Sequence, residues 1–232
     1  MSELGWLCLL FNERYDGLGG FLVEVMVLLE GLGKGLIVEP WLSTVILGGR
    51  LVEMLGTEQQ KQEVIPAVCG GKMKLALAYS EVGVRQQLST ISMEAKPKAD
   101  GFVLNGEKLL VLSAQTADQL LVVARTSGKA GNEQGLTVFL VDPNAEGVTL
   151  TSYETVDGYR AANIAFDDVQ VSGSAVVGGV EVGLGSAFES LQVIMNEAIL
   201  AVGAEAVGVM DLLYQSTLEY TKTRKQFGVP IG

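Results

Sequence analysis

The densest chemistry in the sequence lies at its end. The run Tyr220-Thr-Lys-Thr-Arg224-Lys-Gln226-Phe227-Gly228 brings a guanidinium, a primary amide and an aromatic ring close together. Arg224 carries a fixed fork of donors that suits a pyrophosphate. Gln226 adds a donor and an acceptor, and Phe227 offers a face for a flat ligand or a core. The plain alternative is a solvated helix end, because Lys222, Arg224 and Lys225 are favoured at a helix C-terminus. Earlier in the chain, Ser80 closes the apolar run Leu77-Ala-Tyr79-Ser80. Its hydroxyl can serve a ligand or a local turn. Other chemistries are excluded. The chain has 0 histidines, which removes a Ser-His-Asp triad, a Cys-His dyad and any His-ligated metal. Cys8 and Cys69 lack metal-ligand spacing and stand too far apart in sequence for a local redox motif, so no metal site is expected. Free thiols point to a reducing compartment, hence a cytoplasmic location.

The elements that must position these groups fall into three textures. A chain of 232 residues allows one large domain or two small ones. Its net charge of −11 argues against nucleic acid as a partner. Residues 1–71 read as helical. Phe21 to Glu30 is apolar nearly all round, which fits a buried helix. Glu39-Pro40 is a break, and Trp41 to Leu55 forms a second helix ending at Gly56. Thr57-Glu-Gln-Gln60 matches a capping box that opens a third helix. Residues 72–176 switch to short strands bounded by turns, with Asn105-Gly106 as the strongest hairpin signal. Residues 177–232 return to helix, with a long apolar pattern that stops at Gly228-Val-Pro230. The apolar stretches are interrupted by charge or glycine, as at Glu24 and Glu30, so no membrane span is expected. The long final helix needs neighbours to cover it. The chain is therefore expected to be a truncated or reduced subunit, and to form a dimer or tetramer.

Several motifs carry a resemblance to the acyl-CoA dehydrogenase family. The tail Tyr220 to Gly228 resembles the family's Tyr-x-x-x-Arg-x-Gln-Phe-Gly. Leu77-Ala-Tyr-Ser80-Glu81 resembles its strand ending in Thr-Glu-Pro, and Leu104-Asn-Gly-Glu-Lys108 its Leu-Asn-Gly-x-Lys. Asp118, Val122, Ala124 and Arg125 follow that pattern, and Phe166-Asp-Asp-Val-Gln-Val171 resembles a later strand. The resemblance runs from about Glu3 to Gly232. It implies an α+β fold: an α-helical N-terminal part, a β-sandwich or barrel in the middle, and the start of a C-terminal helical domain.

The resemblance also implies a function. Members oxidise the Cα–Cβ bond of an acyl-CoA thioester, with FAD held against the β-domain and electron-transfer flavoprotein as a possible acceptor. Arg224, Gln226 and Phe227 then contact the FAD of a neighbouring subunit, while Ser80, with Leu77 and Tyr79, lines this subunit's own flavin. Glu81 takes a structural part. Gln86 and Asn196 fall where substrate contacts are expected. The chain also departs from the pattern. Val82 to Gln87 replaces the family's Gly-Ser-Asp loop, and Leu110-Val111-Leu112 stands where Trp-x-Thr meets the flavin. Leucine neither stacks as Trp does nor hydrogen-bonds as Thr does. No residue is assigned as the catalytic base. Two alternatives follow: a non-catalytic partner that completes the FAD site of a heteromeric dehydrogenase, or a scaffolding paralogue that binds neither FAD nor CoA.

Overall fold

The computed structural model describes residues 1–83 and 87–232. The front of the chain is helical: α1 (Leu22–Lys34), a π-wound segment (Leu42–Arg50) running directly into α2 (Leu51–Leu55), and α3 (Glu58–Cys69). Residues Ser43 to Gly49 are all buried. Gly48 and Gly49 let Leu75 and Phe11 press against the rod where a Cβ would collide with them. The capping box is present: Thr57 Oγ1 accepts from Gln60 N, and Gln60 Oε1 accepts from Thr57 N. Helix α3 passes through Pro66 and ends at Gly70. Helix α1 differs from expectation. It buries only Val25, Leu29, Leu32 and Gly33, and leaves Phe21, Val23 and Val27 in solvent.

The middle of the chain is one seven-stranded curled sheet. Its strands are β1 (Leu75–Ala78), β2 (Glu94–Lys98), β3 (Gly101–Leu112), β4 (Gln119–Arg125), β5 (Leu136–Val141), β6 (Val148–Glu154) and β7 (Arg160–Ser172). The order is β1-β4-β2-β3-β7-β6, with β5 on β4. Strands β1 and β4 are parallel and buried on both faces, as such strands usually are. Their alternation feeds two cores. Leu75, Leu77, Leu121 and Val123 pack against the helices. Ala76, Ala78, Leu120 and Val122 fill the inside of the sheet. The hairpin is not at Asn105-Gly106. Strand β3 runs straight through those residues, and the turn lies at Ala99-Asp100, with Lys98 opposite Gly101. Asn105 is drawn into the ladder because its amide pairs with Asp168 on the next strand.

After α4 (Gly179–Gly183) comes α5 (Phe188–Thr223), a helix of 36 residues. It crosses α1 at Gly33 and Gly208, where each backbone meets the other helix's carbonyl edge. The helix stops at Thr223 rather than at Gly228. Arg224 turns extended, and the residues after it form a small hairpin, β8 (Lys225–Gln226) with β9 (Val229–Pro230). Phe227 and Gly228 make its turn with φ of 51° and 88°, the left-handed pair that two-residue hairpins require. By length and composition α5 is apolar enough to cross a membrane, contrary to expectation. Here its inner face packs along α1, and its outer face exposes Ile199, Met210, Leu213 and Tyr214.

Candidate functional site

The end of β1 and the second half of β3 build a shelf. Leu109 N donates to Ser80 O at 2.8 Å, joining the two strands. Ser80 is half-buried, and among the described residues its hydroxyl has no hydrogen-bond partner. Leu77 is buried in the helix-facing core, opposite Leu121 of β4. Tyr79 is half-buried, and burial pushes its phenol above the usual value. On β3 the ladder with β7 slips between Lys108 and Val111, so Leu109 and Leu110 oppose Asn163 alone. That is a β-bulge, and Leu110 takes its left-handed position with φ 51°. Leu110 N donates to Asn163 Oδ1 at 3.2 Å, which also accepts from Tyr153 OH at 3.1 Å. The Leu110 side chain is 53% exposed.

Beneath the shelf, Lys108 is fully buried and its Nζ meets Glu81 Oε1 at 2.6 Å. The same carboxylate accepts from Ser92 N, Ser92 Oγ and Met93 N. Burial pushes Glu81 up, but the Lys108 charge and these hydrogen bonds outweigh it and hold the carboxyl below its usual value. Burial pulls the Lys108 ammonium down to about 8, against the opposing pull of Glu81. Arg125 is also buried. It donates to four carbonyls, of Ser89, Ile91, Asn132 and Gln134, and so knits two loops to the end of β4. The sequence motifs marked Glu81, Lys108 and Arg125 as members of a pattern without showing that they form the shelf's support. Asn163 and Tyr153 carried no sequence signal, because each is an ordinary outward-facing strand residue.

The tail residues stand apart from the shelf. Arg224, Gln226 and Phe227 are all exposed, Phe227 completely. The last buried residue of α5 is Gly208. At 1.5 Å per residue, the helix end at Thr223 lies about 22 Å beyond it. Asn196 is exposed on α5, and its neighbour Glu197 is buried and paired with Arg50 at 3.3 Å. No hydrogen bond among the described residues links Ser80, Asn196 and the tail. Gln86 lies outside the described residues.

Residues 1–72 match the family described as acyl-CoA dehydrogenase, N-terminal domain, and residues 76–169 match acyl-CoA dehydrogenase, middle domain. The chain is 28% identical over 237 residues to the probable acyl-CoA dehydrogenase YngJ of Bacillus subtilis, covering 100% of this chain and 61% of that protein. Its fold is similar to the butyryl-CoA dehydrogenase of Megasphaera elsdenii, with a TM-score of 0.88 and 25% identity over 99% of this chain and 62% of that one. It is also similar to the ChsE4-ChsE5 complex of Mycobacterium tuberculosis, with a TM-score of 0.83 and 26% identity over 100% of this chain and 58% of that one. The chain thus spans about three fifths of the length of the curated relatives it matches.

Proposed function

Because the chain belongs to the acyl-CoA dehydrogenase family, we propose that it holds FAD on the β1–β3 shelf as part of an enzyme that α,β-dehydrogenates an acyl-CoA thioester. One observation carries the reading: a half-buried serine hydroxyl without a partner among the described residues stands at a strand end, one residue along the bulge from an exposed leucine. This pairing fits a flat cofactor with a polar edge and an apolar face. Bound there, FAD supplies a two-electron hydride acceptor. Ser80 would hold the cofactor through its hydroxyl, Leu77 and Tyr79 would offer backbone groups, and Leu110 would add dispersion contact. Gln86 and Asn196 are proposed substrate contacts. Glu81 does not serve as the base, since both of its oxygens are engaged with Lys108, Ser92 and Met93.

The tail acts on a second chain. Arg224, Gln226 and Phe227 stand clear of their own shelf, so they are presented to FAD held by a neighbour in a dimer or tetramer. The proposal places the enzyme in the cytoplasm, with an electron-transfer flavoprotein as its oxidant. Leu110 and Leu112 favour a second reading. In it this chain is the partner in a heteromeric dehydrogenase and lends its tail to an active subunit, as a complex of two named chains among its structural relatives makes reasonable.

The test is a visible spectrum of the purified protein, with and without added FAD. A flavin band that acyl-CoA bleaches supports the first reading. A colourless protein that gains the band only beside a second dehydrogenase chain supports the other. Arg224→Ala is expected to lower the FAD content of the assembly with the melting temperature of the FAD-free chain unchanged, because Arg224 is exposed. Unchanged FAD content would overturn both.

A further inference from the structure

The β3–β7 ladder contains the same device twice. In the middle of the ladder β7 bulges at Asp168, whose φ is 51°, and the facing Asn105 accepts from Asp168 N at 2.9 Å. At the shelf the roles of the strands are exchanged. Strand β3 bulges at Leu110, also at φ 51°, and the facing Asn163 accepts from Leu110 N at 3.2 Å. In each case an asparagine opposite the bulge takes the orphaned N–H of the left-handed residue. An aspartate tolerates that backbone well, and a leucine does not. A half-exposed leucine held in strain needs something to hold it, and such strain tends to collect at ligand sites.

We propose that Asn163 is a positioning residue for the cofactor shelf: it fixes the Leu110 bulge so that the leucine side chain meets the flat face of the flavin. The inference rests on the FAD reading above. Among the described residues Asn163 uses only its carbonyl oxygen, toward two donors, Leu110 N–H and Tyr153 O–H. Acceptor chemistry is therefore what matters at this position. An aspartate keeps it and a leucine removes it. Tyr153 keeps the oxygen aimed at the bulge and is the second member of the clamp.

The experiment measures FAD affinity by flavin fluorescence and thermal unfolding of the FAD-free protein, for wild type and four variants. Asn163→Leu is expected to weaken FAD binding about tenfold or more, the loss that corresponds to one strained residue released. Asn163→Asp is expected to stay within about twofold. Tyr153→Phe leaves the core untouched and should show a smaller loss in the same direction, which keeps the test decisive if Asn163→Leu folds poorly. Asn105→Leu removes the other clamp, and should lower the melting temperature without weakening FAD binding. The proposal is overturned if Asn163→Asp loses as much affinity as Asn163→Leu, if Asn105→Leu loses as much as either, or if Asn163→Leu binds as wild type does. A wild type that takes up no FAD, alone or assembled, would sink the cofactor reading instead. Hydrogen exchange of the Leu110 amide then decides the clamp: faster exchange in Asn163→Leu supports it, and unchanged exchange refutes it.

Discussion

A single carboxylate shows how much one residue settles. Glu81 lies next to the candidate hydroxyl at Ser80, yet it faces inward and neutralises the only fully buried lysine among the described residues. Replacing it with glutamine leaves Lys108 buried without a counter-charge, a change that typically costs about 3–5 kcal/mol. Chemical denaturation of Glu81→Gln should show a loss of that order. The double variant Glu81→Gln, Lys108→Met should recover most of it, since it removes the buried charge and keeps an acceptor for Ser92 and Met93. The pH dependence follows from the direction of the shift. The folded carboxyl sits below its ordinary value of 4.5, so the unfolded chain takes up the proton first. The stabilisation is complete above that value and is lost as pH falls through the folded one. Melting temperatures measured from neutral pH downward should show this acid slope in the wild type and a shallower one in Glu81→Gln.

Among the elements, the crossing of α1 and α5 is the most exacting. A methyl group at Gly33 would run into the carbonyl oxygen of Glu205, and one at Gly208 into that of Glu30. Gly33→Ala and Gly208→Ala should each destabilise by about 1–3 kcal/mol through overpacking. Gly31 and Gly203 lie on the same two helices with open space around them. Alanine there should stabilise by about 1 kcal/mol through helix propensity alone. Melts of the four variants test the contrast directly. What could be read from the sequence follows the range of each signal. The capping box at Thr57 and the helix that ends at Gly56 depend on near neighbours, and the structure agrees with them. The Asn105-Gly106 hairpin failed because a distant partner, Asp168, claimed the asparagine for a bulge. The outer face of α1 misled because apolar composition alone does not say which side is covered. The positions of Ser80 and Arg224 were legible as motifs. The Asn163 clamp was not, since only strand register reveals it.

For the molecule as a whole, the strands β1 and β4 lend alternate residues to two cores at once. Leu75 and Leu77 belong with the helices, while Ala76 and Ala78 belong with the sheet interior. Either core therefore loses part of its wall if the other comes apart. Tryptophan fluorescence, which reports the helical core through Trp6 and Trp41, and hydrogen exchange of the β3 and β7 amides in the sheet should follow one common transition, and separate midpoints would show that the cores melt independently. The exposed Gly70-Gly71 turn connects the helical front to β1. Its composition invites a protease, and a cut there would cross no buried contact. The two fragments would stay locked together through that shared strand and elute as one particle. A severed backbone would then be invisible to everything but a denaturing gel, and a nicked preparation could pass for an intact one in any assay of the native protein.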